Sequence, residues 1–305
     1  MTRTNRFFIN FFVCILVNFH FLKAQENEGF RLTTIGTEAF EVMRQIYDYD
    51  KHIPLEVSKV VQTDEKEYVK EKILFQGHRS LVPGYLAVSK YGTAPYPVVL
   101  LIHGVTSSKE SWWEKNSIMG NLTEQLLNSG YAVLTLDAEY HGERSINNPF
   151  ESPLSIIEKE WFVMYRDMII ESVIDYRRAM DYLETRKDID ASKIGIVGYS
   201  MGGMMTFILS AIDNRIDASV SCVSPIITVP YLPTAIQNFA PYIKNTSFLM
   251  LMGKNDDRNY TIESSNQLYK LVGSNTKNLV FFDSGHMLPY TWIDEAKNWL
   301  VKYLQ

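Results

Sequence analysis

The sequence predicts an α/β fold: a mostly parallel, doubly wound sheet with helices on both faces. Three observations carry that prediction. Continuous apolar runs such as Val98-Val99-Leu100-Leu101-Ile102 read as strands covered on both sides, because a half-exposed strand would alternate. Between such runs, apolar residues recur at helical spacing, as in Ile169, Val173, Tyr176, Met180 and Leu183. Strand and helix then alternate to the end of the chain, the pattern of parallel strands joined by crossover helices. A length of 305 residues, 46% hydrophobic and 21% charged, fits one large domain with a sizeable core.

Residues 25–65 are polar and mixed, and read as an N-terminal helical extension packed on the main domain. Its amphipathic helix falls near Thr37–Tyr47, with Phe40, Met43 and Tyr47 facing inward. The main domain spans 66–305. Glu67–Phe75 and Leu81–Ser89 form two strands joined by a turn around Gly77, and Val98–Ile102 is the next, ending at His103-Gly104. A helix with Leu122, Leu126 and Leu127 stops at Gly130, which suits a helix C-terminus. Ala132–Leu136 is a strand ending at Asp137, and the long helix through Ile169–Leu183 follows. Strands at Ile194–Val197, Ala218–Val223, Phe248–Met252 and Leu279–Phe282 come next. A helix through Met204–Leu209 separates the first two, and a final helix carries Trp292, Ala296, Trp299 and Tyr303. Residues 145–165 and 224–245 break the rhythm after strand ends and are expected to form short cap insertions over the site.

Arg3 and Arg6 precede an apolar run from Phe7 to Leu22, and Lys23-Ala24-Gln25 leads into polar sequence. A basic start, a short apolar core and a small residue before a polar junction predict a secretory signal peptide over residues 1–24. The run is shorter than the roughly 20 residues of a spanning helix, so no stable membrane insertion is expected. The protein is expected to be exported, periplasmic or extracellular. Cleavage after Ala24 would remove Cys14 and leave Cys222 without a disulfide partner.

A net charge of −5 with mixed signs and no basic patch argues against nucleic acid as a partner. Two cysteines without CxxC spacing and six histidines without an HExxH pair give no metal signature, and no cofactor is expected.

Gly198-Tyr199-Ser200-Met201-Gly202-Gly203 follows one predicted strand and opens a helix. In that context the glycines serve a turn too sharp for neighbouring β-carbons, and Ser200 is lifted clear of the sheet as a nucleophile. A serine hydroxyl needs a base. His286, in the loop after the last strand, is the histidine placed to reach it. The base needs an acid to fix its tautomer. Asp256 and the adjacent Asp257 both follow the preceding strand, and Asp256 is favoured. The oxyanion needs two backbone N–H donors. One is assigned to Met201 and the other to Val105, in the loop after His103-Gly104. His103 is expected to shape that loop by bonding to the backbone.

These residues resemble the α/β-hydrolase superfamily, and within it the dienelactone-hydrolase-like and prolyl-oligopeptidase-like serine esterases. The matching pieces are Val82–Leu86, His103-Gly104, Asp137–Arg144, Asp181-Tyr182-Leu183, Gly198–Gly203, Gly253–Asp256 and Gly285-His286. The resemblance implies an eight-stranded, mostly parallel sheet and ester hydrolysis through an acyl-enzyme. Carried over residue by residue, it makes Ser200 the nucleophile, His286 the base and Asp256 its partner. It also implies that Asp137 and the His141–Arg144 turn organise the floor of the site. Dienelactone hydrolases carry a cysteine where this elbow holds Ser200.

The substrate is expected to be a small-molecule or carbohydrate-linked ester, in a pocket lined by Trp112, Trp113, Trp161, Phe162 and Tyr231, with Tyr165 and Phe239 nearby. A serine peptidase or acyltransferase would use the same scaffold, and a non-catalytic binding protein would not need all three side chains.

Overall fold

The strands run in chain order as β1 (Ser58–Asp64), β2 (Tyr68–Gln76), β3 (Leu81–Ser89), β4 (Tyr96–Ile102), β5 (Ala132–Leu136), β6 (Ile189–Tyr199), β7 (Ile216–Cys222), β8 (Ser247–Gly253) and β9 (Lys277–Phe282). A computed structural model describes residues 31–147, 152–256 and 260–304. The expected signal peptide and Asp257 lie outside the described residues. All nine strands form one sheet in the order β1-β2-β3-β5-β4-β6-β7-β8-β9. The β1-β2, β2-β3 and β3-β5 pairs are antiparallel, and every pair from β5 across to β9 is parallel.

Nine strands exceed the expected eight, and the extra one is β1, inside the stretch expected to be a helical extension. All but one of its residues are exposed, so it carries no apolar alternation to read. It pairs with β2 from Ser58↔Leu74 to Asp64↔Val69, with a bulge between Val61 and Thr63. Strand β6 begins at Ile189 rather than at Ile194, since Tyr96 pairs with Ile189 before the register shifts. The polar residues Asp190, Ser192 and Lys193 conceal that start.

The helices are α1 (Thr37–Arg44), α2 (Ile118–Asn128), α3 (Leu154–Glu158), α4 (Phe162–Glu184), α5 (Met201–Ile212), α6 (Ile262–Leu271) and α7 (Trp292–Tyr303). Alternation along β4 divides the core. Val99 and Leu101 join Leu122 and Leu126 of α2 and Ile293 and Leu300 of α7 on one face. Val98, Leu100 and Ile102 join Phe40 of α1 and Ile169, Val173 and Met180 of α4 on the other. Helix α5 packs on β6 and β7 and feeds both clusters, Met204 and Phe207 going to one and Met205 and Ile208 to the other.

The N-terminal extension is tied down by specific polar contacts. The buried Arg178 guanidinium of α4 donates to the carbonyls of Gln76 (2.8 Å), Ile53 (3.0 Å) and Asp50 (3.3 Å). Tyr47 donates to Pro233 O at 2.9 Å. Phe40 stacks on Tyr242 at a centroid distance of 3.6 Å and meets Phe239 edge-on at 5.6 Å. The 224–245 insertion is therefore largely core, with Ile236, Phe239, Ala240 and Ile243 fully buried.

The loops that follow β4, β5, β6, β7, β8 and β9 all leave the carboxyl edge of the parallel strands, where sheets of this kind gather their sites.

If α1 is part of the core, Phe40→Ala should lower stability by about 3 kcal/mol, the cost of truncating a buried phenylalanine. In urea melts this reads as a fallen midpoint with an unchanged slope. A loss under about 1 kcal/mol would mean that the aromatic contact carries little.

Candidate active site

Ser200 lies between the last residue of β6 and the first of α5, with φ 56° and ψ −114°. A non-glycine residue at positive φ costs about 1–3 kcal/mol and persists only where its surroundings over-determine it. Here they do. Ser200 N–H donates to Cys222 O at 2.9 Å, and its carbonyl accepts from Met204 N–H at 3.1 Å. A β-carbon on Gly198 would lie 2.0 Å from Gly202 O, and one on Gly202 would lie 2.2 Å from Ile102 O. Any side chain at either position would force helix and strand apart.

His286 reaches this elbow from the loop after β9. Its Nε2 lies 2.9 Å from Ser200 Oγ, and its Nδ1 lies 2.5 Å from Asp256 Oδ2. An ionised carboxylate only accepts hydrogen bonds, so Nδ1 carries the proton and Nε2 is left to accept from the serine hydroxyl. Asp256 is 4% exposed, in the loop after β8. The loops that carry Asp256 and His286 are stitched together by Lys254 N–H to Phe282 O and Asn255 N–H to Ser284 O, both 2.9 Å. Gly253 makes that approach possible, since a β-carbon there would lie 2.2 Å from Gly285 O.

The segments that carry the two expected oxyanion donors flank Ser200. Met201 is the first residue of α5, where the helix offers no carbonyl of its own to the amide. On the other side, a β-carbon on Gly104 would be 3.5 Å from Ser200 Cβ, which places the Gly104-Val105 loop beside the serine. That loop is held from beneath. His103 Nδ1–H donates to Gly104 O at 2.8 Å, while its Nε2 accepts from Ala138 N–H at 3.1 Å. Burial, and then the neighbouring His141, push the His103 pKa down to about 3, so the ring is neutral. His141 Nε2 is 2.9 Å from Val105 O and its Nδ1 is 2.8 Å from Glu139 O. Both imidazoles face backbone oxygens or amides of the loops.

Three residues that sequence reasoning missed complete the frame. The buried Lys109 donates from its backbone to Asp137 Oδ1 (3.0 Å) and from Nζ to Asp137 Oδ2 and Glu143 Oε1 (2.7 Å each). Glu143 N–H also donates to Asp137 Oδ2, at 2.9 Å. Burial works against the Lys109 charge, but these bonds outweigh it and raise its pKa. The ammonium thus locks the segment after the Gly104-Val105 loop onto the 137–143 turn. Tyr260, 4% exposed, accepts from Gly253 N–H at 2.9 Å and hydrogen-bonds Asp256. Tyr199 donates to His286 O at 2.8 Å and accepts from Leu288 N–H at 2.9 Å. Nothing in a lone tyrosine or lysine code marks these roles.

Of the aromatics expected to line the pocket, Trp112, Trp113 and Phe239 are taken up by packing elsewhere. Trp112 is fully buried among core side chains, because the 3-10 turn Lys109–Trp113 folds it inward. Trp113 faces away, donating to Thr135 Oγ1 at 2.9 Å and packing on Tyr85 and Tyr68. Phe239 is core, against Phe40 and Tyr47. Trp161, Phe162 and Tyr231 are exposed, and Tyr165 meets Met204 Sδ at 3.2 Å. An open cavity of about 170 Å³ lies instead beside the His286 loop, lined among others by Ile118, Met119, Tyr199, Met287, Leu288 and Trp292. Among the described residues no group of three His, Cys, Asp or Glu side chains is arranged to hold a metal ion.

The neutral His103 makes stability pH-dependent. Its folded pKa lies below the unfolded value of about 6.5. Above that value both states are deprotonated and this group adds no pH dependence. As pH falls from 6.5 toward 3 the unfolded chain takes up a proton that the folded one refuses, and stability declines by up to about 1.4 kcal/mol per pH unit from this group. Urea melts at pH 6, 5 and 4 should give a slope shallower by about one proton in His103→Gln than in the parent. Equal slopes would mean the imidazole is protonated in place.

Residues 97–300 match the α/β hydrolase fold family. Among characterised sequences, "Putative hydrolase YtaP" of Bacillus subtilis is 27% identical over 194 residues, 61% of this chain and 63% of that protein. "Hydrolyase poxO" of Penicillium oxalicum is 28% identical over 158 residues, 52% of this chain but 33% of that protein. The match therefore spans less than two thirds of either relative. Among solved structures, acetyl xylan esterase 1 of Thermoanaerobacterium sp. JW/SL YS485 superposes with a TM-score of 0.72 at 14% identity, covering 93% of this chain and 96% of that one. The acetyl xylan esterase of Paenibacillus sp. R4 gives 0.70 at 16% identity, over 95% and 99%. With the elbow, the sheet order and the family match in agreement, the chain belongs to the α/β hydrolase fold family.

Proposed function

We propose that this protein is an exported serine carboxylesterase acting through an acyl-enzyme. The observation that carries the reading is the chain of two short contacts, Ser200 Oγ to His286 Nε2 and His286 Nδ1 to Asp256 Oδ2, on a strand-to-helix elbow. In this reading His286 takes the Ser200 proton as the hydroxyl attacks an ester carbonyl. The amides of Met201 and Val105 receive the oxyanion, each worth about 3 kcal/mol in comparable sites. His286, now an imidazolium stabilised by Asp256, protonates the departing alcohol. Water enters the same geometry, gives its proton to His286 and releases the acid, restoring the serine. The reading draws only on this chain's own side chains and amides and invokes no cofactor.

For the substrate, we favour a short acyl ester on a carbohydrate or small alcohol. The support is that two structural neighbours covering over nine-tenths of this chain are named acetyl xylan esterases. The basic and apolar start of the sequence supports export, which would bring the enzyme to polysaccharide outside the cell.

Hydrolysis of p-nitrophenyl acetate, butyrate and octanoate, and acetate release from acetylated xylan, should be measured beside Ser200→Ala. The expected result is turnover of the short esters that falls about 10⁴- to 10⁶-fold in the variant. Turnover that Ser200→Ala leaves unchanged would overturn the mechanism, and activity confined to octanoate would overturn the short-acyl substrate.

A further inference from the structure

The base of the site is not held by its own strand. His286 lies in the loop after β9, and the next residue, Met287, projects into solvent at 68% exposure. The backbone on the two sides of Met287 is tied to one atom, the phenol oxygen of Tyr199. That oxygen donates its hydrogen to His286 O at 2.8 Å and accepts Leu288 N–H at 2.9 Å. Tyr199 is 5% exposed, so water does not compete for these bonds. Its ring is braced by Trp292 at 5.8 Å and meets the His286 ring edge-on at 6.1 Å, with an interplanar angle of 79°.

Tyr199 is also the residue before Ser200. Its side chain leaves β6 at the last position of the strand, and the nucleophile follows one peptide later. A rigid phenol therefore spans from the root of the nucleophile to the carbonyl of the base. The elbow and the His286 loop, distant in sequence, are thereby referenced to one side chain. The hydroxyl is suited to this because it is donor and acceptor at once, and the turn offers one acceptor and one donor.

We propose that Tyr199 is a positioning residue whose hydroxyl sets the His286 backbone, and so keeps Nε2 within hydrogen-bond reach of Ser200 through both proton transfers. The proposal rests on the Ser200–His286–Asp256 reading. It predicts that the phenol acts on the chemical step rather than on substrate capture. A displacement of about 1 Å in a catalytic group costs about 10²-fold in rate.

The test is a double-mutant cycle on p-nitrophenyl acetate with Tyr199→Phe, His286→Ala and the pair, alongside Ser200→Ala. Tyr199→Phe should lower kcat about 10- to 100-fold with KM within about twofold. In the His286→Ala background the same change should cost less than about twofold, because the group it positions is gone. Replacing Tyr199 by p-aminophenylalanine, which keeps a donor at the same place, should recover most of the lost kcat. That replacement also carries the cycle if Tyr199→Phe does not fold. An unchanged kcat, a loss seen only in KM, or an equal loss in both backgrounds overturns the proposal. If His286→Ala and Ser200→Ala both leave turnover intact, the triad reading fails and takes this proposal with it. If both abolish turnover while Tyr199→Phe matches the parent, the positioning role alone falls.

Discussion

The backbone of Ser200, held at positive φ between a buried strand and a buried helix, is the constraint on which the site depends. A strand that turns directly into a helix has no length in which to relax, so the local geometry is set by contact. Gly198 and Gly202 let α5 descend onto β6 and β4 until backbone meets backbone. That descent fixes the turn at which the Ser200 hydroxyl meets His286 Nε2 and at which Met201 opens the helix. It also makes the elbow a fixed reference for the rest. The Gly104 loop abuts it, and the His286 loop is tied to it through the Tyr199 phenol. Strain at one residue is thus balanced by the packing of a whole layer.

Around this point the electrostatics serve position as much as charge. Asp137 is buried, and its two oxygens take three donors: the Lys109 amide, the Lys109 ammonium and the Glu143 amide. A buried carboxylate alone would be costly, and a buried ammonium likewise, so each holds the other in place. The effect is to join the loop that carries Val105 to the turn that carries His141, whose ring meets Val105 O in return. His103, kept neutral by burial, works as a fixed donor–acceptor spacer between Gly104 and Ala138.

The chain discloses the fold more fully than the pocket, and the reasons are physical. Strands β4, β5 and β8 are buried on both faces, and such strands announce themselves as apolar runs. The elbow is legible because its steric demand selects glycine at Gly198 and Gly202, and the chain order after it leads to His286 and to the adjacent Asp256 and Asp257, between which sequence order cannot choose. Strand β1 escapes because exposed edge residues carry no pattern, and β6 starts early under a polar disguise at Asp190–Lys193. The pocket aromatics fail for a different reason. A tryptophan code says that a large ring will be buried and nothing about where, so Trp112 went to the core and Trp113 to the β3 side of it. Tyr199 and Tyr260 were illegible because their value lies in the hydroxyl meeting two partners from distant segments.

Arg178 has a consequence for how the molecule comes apart. Its guanidinium is buried in α4 and satisfied by carbonyls from the 50–54 segment and from the end of β2. Were the extension to peel away by itself, the guanidinium would give up its bonds to Asp50, Ile53 and Pro54 together and take water in their place. One side chain thus gathers the carbonyls of a whole segment, so that stretch is expected to open as one piece rather than to fray residue by residue, its amide protons exchanging together.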